Sequence, residues 1–471
     1  KVFHSNLTQD SKKIPSKTTY DSPDEMRGVF QEQADQVEFS KFYYDDSREI
    51  FLRFSRDLDR KIGDSSVYTH VTTLFDKNLN QLHEEEVPIP YFGFKFFKDG
   101  KLSACGGKES ESTEQKNILE NLTYSVDTVV VDAGEDFFNL SYGIAPRLSH
   151  DKKTLLFFEG DPLKLVQVDL NNLKLNSKTE FQHEGPDGVG PYIVDYQVGH
   201  EGNLAIKSYV GIGNFSTEGK LVETLKIFPA SLPPGLEDDY LKLYGPTIYS
   251  SKANRIYTQP STEVLGEPAL FSIDPDSKTY QSFPIPKVKL VTDFSGTYRT
   301  KSSQGTMIRF LGPETFMGIE NGHLFISGGA MSGFYSLDTN TDSLRFIDIE
   351  HQIAPNQWDF EVMKESSDES KFEEDERKVN EALNYLDIKW DETREMYLRF
   401  GKKTFLGKTR ADPRKYELYL FAYDKDFNVL GETKIEGLEK VPSSYFWKDG
   451  KLYSYVNVED ELGFAVFTFD F

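Results

Sequence analysis

One short pattern returns along this chain and limits what it can become: an apolar strand, a polar turn, and a second apolar strand. It is clearest at Phe97–Leu102 and Trp447–Leu452, which share Lys-Asp-Gly-Lys-Leu, and at His200–Leu204 and Glu320–Leu324. Weaker copies lie at Asp45–Ile50, Ser149–Leu155, Ser250–Ile256 and Asp391–Met396. Asp-Gly and Asn-Gly suit tight hairpins because glycine accepts positive φ without steric cost. A second turn built on Asp lies between many of these hairpins. It reads Phe75–Asn78, Val168–Asn171, Ile273–Asp276, Leu337–Asn340 and Tyr423–Asp426. Two hairpins per unit make four strands per unit, and units repeating every few tens of residues with four strands are the signature of propeller blades.

Proline adds a third marker. Pro90, Pro146, Pro191, Pro246, Pro313 and Pro442 each precede the first hairpin of a unit, where a strand's first residue needs no ladder donor. Composition agrees: aromatics make up 14% of the chain, and aromatic side chains pack well on a pleated surface. The predicted fold is all-β, a β-propeller of four-stranded blades. Six blades are favoured for residues 124–471, with a single eight-bladed ring as the alternative. One inserted surface helix is predicted within 364–386, on a stripe of Val379, Leu383 and Leu386.

Residues 1–104 read as a partial duplicate of the last blades. Asp45, Arg48, Glu49, Leu52, Arg53 and Phe54 align without gaps onto Asp391, Arg394, Glu395, Leu398, Arg399 and Phe400. Pairing with carboxylates between blades is the expectation for the recurring arginines. Residues 105–123 read as a flexible polar linker. The strand at Ser125–Asp132 has no hairpin partner in sequence, while the last unit supplies only three strands. The first strand is therefore expected to complete the last blade, as closure removes sheet edges.

Leu102–Gly106 looks like a bacterial lipobox around Cys105, although Lys98–Lys101 interrupts the apolar run that such a signal needs. Taken with this cysteine and its polar linker, Tyr124–Asp132, Glu184–Gly190 and Trp447–Phe471, the chain resembles the uncharacterised Bacteroidetes lipoproteins with a TolB-like six-bladed propeller, a family named only as a domain of unknown function. The resemblance implies fold and place, not reaction. It points to an extracytoplasmic protein, periplasmic or on the outer membrane, with Cys105 as the lipidation candidate.

Charge and motifs narrow the chemistry. A net charge of −23 repels phosphate backbones and anionic membranes. Nucleic acid is not an expected partner, and membrane contact is expected only through a lipid anchor. One cysteine excludes an intrachain disulfide and a cysteine-based zinc site. The nucleophile elbow, the phosphate-cradling glycine loop and the His-Glu-x-x-His helix are absent. Asp338–Asp342 alternates oxygen side chains like a calcium loop, but it lacks the turn glycine and the distal Glu, so an Asx turn is the better reading.

Ring folds gather ligands where their innermost strands begin. The strand-leading markers single out Arg147, Tyr192, Asp195, Tyr249, Glu314 and Asp387. Asp195, Glu314 and Asp387 are expected to converge on a cation or a cationic group, with Arg147 pairing with them. Glu184 and Asp187 sit in the densest Gly/Pro loop as rim candidates. The favoured function is a binding scaffold for a protein, peptide or glycan of the cell envelope, without cofactor. The alternative is a calcium-assisted hydrolase or lactonase with its site in the central channel.

Overall fold

The computed structural model describes strands between residues 39 and 104, and residues 117–139, 145–160, 162–199, 201–209, 211–225, 227–237, 239–302, 305–407, 412–459 and 461–471. It divides into two compact units, Lys1–Glu114 and Gln115–Phe471. Cys105 lies outside the described residues.

In the first unit, β1 (Phe39–Asp45), β2 (Ile50–Ile62), β3 (Ser65–Asp76) and β4 (Gln81–Val87) form an antiparallel meander. Strands β5 (Phe94–Phe96) and β6 (Leu102–Ala104) pair as a ribbon.

The second unit opens with β7 (Thr123–Val130). A sheet follows from β8 (Arg147–Leu148), β9 (Thr154–Glu159), β10 (Lys164–Asp169) and β11 (Lys174–Glu180), and another from β12 (Ile193–Val198), β13 (Leu204–Ser208), β14 (Gly211–Phe215) and β15 (Leu221–Thr224). The third holds β16 (Thr247–Ser250), β17 (Arg255–Thr258), β18 (Ala269–Asp274) and β19 (Thr279–Pro284). After the hairpin β20 (Gly296–Ser302) and β21 (Gly305–Leu311) comes a fourth, β22 (Thr315–Glu320), β23 (His323–Gly328), β24 (Phe334–Asp338) and β25 (Ser343–Ile347). The short β26 (Glu365–Ser366) joins β20 in parallel. The fifth sheet is β27 (Asn384–Asp391), β28 (Met396–Phe405), β29 (Lys415–Tyr423) and β30 (Val429–Lys434). The sixth comprises β31 (Phe446–Lys448), β32 (Lys451–Val458), β33 (Glu461–Asp470) and, as its fourth strand, β7.

All eight hairpins read from the sequence form. At Asn321-Gly322 and Asp449-Gly450 both turn residues take positive φ, the twist that matches flanking strands. The recurring Asp of the second turn has a backbone role. Asp169, Asp274, Asp338 and Asp424 each accept hydrogen bonds from amides two to four residues on. Asp338–Asp342 is thus a turn.

Alternation along each strand sends apolar side chains to both faces, and the cores sit between sheets. Leu156 and Phe158 of β9 pack against Tyr196 and Ile206 of the second sheet. Their neighbours Leu155 and Phe157 face the other way, onto Phe446 and Phe464 of the sixth. Four further cores join the second sheet to the third, the third to the fourth, the fourth to the fifth and the fifth to the sixth. The first and last sheets therefore share a core. The ladder from Gly463↔Val130 to Asp470↔Thr123 joins β33 to β7, which realises the predicted completion of the last sheet.

The packed unit takes in the end of the segment read as a linker. Leu119 is fully buried in the core between the fifth and sixth sheets. Asn117 bonds the backbone N–H and C=O of Glu432 on the edge strand β30, at 3.0 and 2.8 Å.

The duplication holds at the level of register. Asp45↔Ile50 corresponds to Asp391↔Met396, and Phe75↔Gln81 to Tyr423↔Val429. A register shift falls at the matching place in both, at Leu74/Phe75 and Ala422/Tyr423.

The inserted helix is Glu369–Glu381, capped by Asp368 bonding the amides of Ser370 and Lys371. Its buried stripe is Phe372, Asp375 and Val379. Leu383 and Leu386 do not belong to it: Ala382 ends the helix in extended conformation, and Leu386 lies in β27. The helix packs against β28 and against β20, β21 and β26. Arg309 of β21 bonds Glu376 at 2.8 Å and lies 4.6 Å from the Phe372 ring centroid.

Arg399 has no exposed surface, and its partners are carbonyls, not the carboxylates expected from the sequence. Its Nε donates to Leu386 at 2.7 Å, and its two Nη atoms donate to Ser332 and Gly328. Tyr385 stacks over it at 4.8 Å. Arg394 does bond a carboxylate, Asp391 at 2.7 Å, within its own hairpin, and also reaches the carbonyls of Gly450 and Phe469. Arg48 and Arg53 have no described side chains.

Two substitutions test this packing. Leu119→Ala should cost about 2–5 kcal/mol through the cavity it leaves, read from the denaturation midpoint. Arg399→Leu strands three buried carbonyls and should cost about 3–5 kcal/mol. Arg399→Lys should rescue little of that loss, because an ammonium lacks the planar fork of donors.

Candidate functional site

The first strands of the six sheets lie side by side. β8 meets β12, β16 meets β22, β22 meets β27, and β27 meets β31. Between β12 and β16 the link is the Gln197 amide, which donates to the Thr247 carbonyl and accepts from the Tyr249 amide, at 2.8 and 2.7 Å. This arrangement gathers most of the predicted residues along one row of strands.

Arg147 and Asp195 come together at 2.8 Å. The Arg147 Nε also donates to the Tyr196 carbonyl at 3.1 Å. A register shift between Ile193 and Asp195 makes Val194 the extra residue and turns Asp195 toward the neighbouring sheet. Tyr192 precedes this bulge and is 66% exposed. It meets Tyr209 edge to face, ring centroids 6.3 Å apart.

The three carboxylates expected to converge do not form a common cluster. Asp195 bonds Arg147, Glu314 bonds Lys402 at 2.7 Å, and Asp387 bonds Lys389 at 2.9 Å. Among the described residues no group of three or more His, Cys, Asp or Glu side chains is placed to hold a metal ion. Tyr249 directs its hydroxyl to Asn254 in its own hairpin, and burial raises its pKa. Glu184 is exposed. Asp187 turns to the outer hairpin, bonding Lys220 and the Leu221 amide at 3.0 and 3.1 Å. The Val189 side chain is buried beneath that loop, which fixes it as a packed turn between sheets.

The densest polar cluster surrounds Asp387 and includes residues the sequence reading missed. Lys389 lies between Asp387 and Glu320, which are 2.9 and 3.3 Å away. The Tyr445 hydroxyl donates to Asp387, and Glu320 accepts from the Trp390 amide. These residues are enclosed by three sheets, yet 29% of the Asp387 side chain and 28% of Lys389 stay accessible. They line a wet recess rather than a dry core. Burial alone would discharge Lys389, but Asp387 and then Glu320 hold its pKa above the ordinary lysine value. Burial likewise works against the Asp387 charge, and Lys389 and Tyr445 overcome it, leaving the carboxyl below its usual range. Burial and the Asp387 charge push the Tyr445 phenol well up. Asp387 and Lys389 therefore stay charged, and Tyr445 stays neutral, near neutral pH. None of these three groups is tuned toward the pH where general acid–base transfer is efficient.

A second chain of titratable groups is sealed. His351 contacts Glu432 through Nδ1 at 2.9 Å and Tyr423 through Nε2 at 3.2 Å, and its side chain has no exposed surface. Glu432 also accepts from the Gln352 amide at 2.7 Å. The order carboxylate, imidazole, phenol looks catalytic, but no solvent reaches the ring. Its role in this fold is to fasten the segment after β25 onto β30.

A crystal structure of a DUF4221 member from Bacteroides vulgatus matches at TM-score 0.51 and 13% identity, over 76% of this chain and 99% of that one. The β-propeller domain of Myceliophteria thermophila Cps50 matches at TM-score 0.33 and 9% identity, over 71% and 98%. The extracellular domain of a hybrid two-component system from B. thetaiotaomicron matches at TM-score 0.34 and 8% identity, over 92% and 59%. No curated protein matches the sequence. The DUF4221 family profile, described as a domain of unknown function, matches residues 1–86 and 116–434. With most of its length inside that match, the chain belongs to the DUF4221 family.

Proposed function

We propose that this chain is an extracytoplasmic binding scaffold whose larger unit is a six-bladed propeller. It would take a protein, peptide or glycan partner where the first strands begin. The blade count is supported by the six inter-sheet cores, which run in order and return from the last sheet to the first. Closure of this kind leaves no sheet edge inside the ring. The extracytoplasmic place rests on the family resemblance carried by Tyr124–Asp132, Glu184–Gly190 and Trp447–Phe471; Cys105 is the lipidation candidate, but Lys98–Lys101 interrupts the apolar run that a lipobox needs.

Binding rather than hydrolysis is favoured by one observation. Each of the three carboxylates expected to hold a cation is already paired with a basic side chain: Asp195 with Arg147, Glu314 with Lys402, and Asp387 with Lys389, which Glu320 shares. A calcium-assisted hydrolase would have to break these pairs to free its ligands, and calcium takes six to eight oxygens. A scaffold needs only rigid, charge-balanced walls and exposed contact groups.

Thermal unfolding with EDTA and then with added calcium tests this reading. The midpoint should stay unchanged throughout. A rise with calcium that EDTA reverses would put the hydrolase ahead. The pH response gives a second check on the recess. Asp387 is held below the ordinary carboxylate value of 3.8. Its stabilising effect is therefore present above that value and is lost as pH falls through the lower folded-state value. Asp387→Asn should lower the unfolding midpoint at pH 7 and flatten its decline on acidification below about pH 4.

A further inference from the structure

Edge strands invite pairing with other chains, and several outer strands of this fold are blunted against it. β11, β15 and β30 meet their neighbours through register shifts, and β19 ends in Pro284. The inserted strand β21 has neither device. Its ladder with β20 runs from Gly296↔Leu311 to Ser302↔Gly305 without a shift. It is the outer strand of its sheet, whose order is β21, β20, β26.

The phase of this ladder decides which backbone groups face outward. The Thr297 amide donates to the Lys364 carbonyl at 2.9 Å, on the side of β20 away from β21. In an antiparallel pair, a residue that bonds away from its partner strand belongs to a non-hydrogen-bonded pair. Thr297 lies opposite Phe310, so the Phe310 amide and carbonyl point away from β20, to the open side. Alternation gives Ile308 and Thr306 the same direction. Each offers one backbone donor and one acceptor to an added strand.

The two faces of the hairpin differ. Tyr298 and Leu311 enter the core that holds Phe372 and Val379 of the helix. On the opposite face Ile308 and Phe310 are 40% and 75% exposed. Arg299 lies across from Ile308 and Lys301 across from Thr306, so both cations share that outer face. Both are exposed, and among the described residues neither side chain takes part in an ion pair or hydrogen bond. Two unanswered cations beside exposed apolar side chains, on a chain of net charge −23, define the chemistry of an occupant. It would cover Ile308 and Phe310 with apolar side chains and bring carboxylates to Arg299 and Lys301. Thr306 is small, so Lys301 reaches across it toward an added strand. A second copy of this chain would carry its own charge of −23 to the same edge, which opposes that pairing.

We propose that the open edge of β21 docks an extended acidic segment of a partner protein, which adds as a further strand. In this mode main-chain bonds supply affinity and alternate side chains supply specificity. The site is separate from the leading strands and does not rest on a ligand binding there. Titration of the full chain against a fluorescently labelled peptide, Glu-Thr-Val-Thr-Val-Thr-Glu, read by polarisation, provides the test. Along one face this peptide presents acid, apolar, apolar and acid in either strand direction. It should bind. The counterpart with Lys at both ends should bind at least tenfold more weakly, and so should a version N-methylated throughout, which keeps the side chains and loses the backbone donors. Phe310→Ala should weaken binding tenfold or more with an unchanged unfolding midpoint, because the ring is exposed. Arg299→Ala combined with Lys301→Ala should erase the preference for Glu over Lys. No binding of the Glu peptide, equal binding of the Lys peptide, or binding untouched by Phe310→Ala would overturn the site. A concentration-dependent dimer in sedimentation that Phe310→Ala abolishes would assign the edge to a second copy and overturn the acidic partner.

Discussion

The backbone ladder between Thr123–Val130 and Gly463–Asp470 joins the beginning of the larger unit to its end, and the other sheets depend on that joint. A four-stranded antiparallel sheet has two edges and two faces. Each of the six four-stranded sheets of the larger unit is apolar on both faces, so each needs a neighbour on either side. Leu155 and Phe157 on one face of β9, with Leu156 and Phe158 on the other, show the demand directly. Without β7 the sixth sheet would keep only three strands. Phe464 and Val466 of β33, which share a core with the first sheet, would then lie next to an open edge. The proposed ring is the arrangement that satisfies all six sheets together.

Polar groups inside this arrangement have two uses. Arg399 replaces missing backbone donors, bonding carbonyls of Leu386, Ser332 and Gly328 where the fourth and fifth sheets meet. The recess around Asp387 and Lys389 does the opposite: it keeps charge in contact with water while pairing it internally. The first fixes the geometry of neighbouring sheets, and the second lines a recess that water reaches. The Arg147–Asp195 pair, part-exposed between the first and second sheets, belongs with the second kind.

What was legible in the sequence was local and repeated. Hairpin turns announce themselves through Asn-Gly, Asp-Gly and the Asp of an Asx turn, because backbone geometry admits few residues there. The duplication was legible to the residue, since Asp45 and Asp391 close the same turn in the same register. Long-range partners were not legible. The recurrence of Arg399 suggested a carboxylate partner, but its partners are main-chain carbonyls, which leave no mark in the sequence. Asp195, Glu314 and Asp387 shared a position in the repeat, and the sequence could not show that a different cation answers each one. Glu320 comes from β22, Lys389 from β27 and Tyr445 from the segment leading into β31, so no spacing along the chain groups them. The hairpin β20–β21 and the true face of the helix were obscured because their core is shared among insertions distant in sequence.

Amide hydrogen exchange across β7 and β33 tests the closing ladder most directly. If the two ends of the unit are joined as described, the amides of Thr123–Val130 that bond β33 should exchange as slowly as those between β32 and β33, and the two sets should open together. Exchange of the β7 amides at the rate of an exposed loop, with β32 and β33 still protected, would contradict the closed arrangement on which the proposed ring rests.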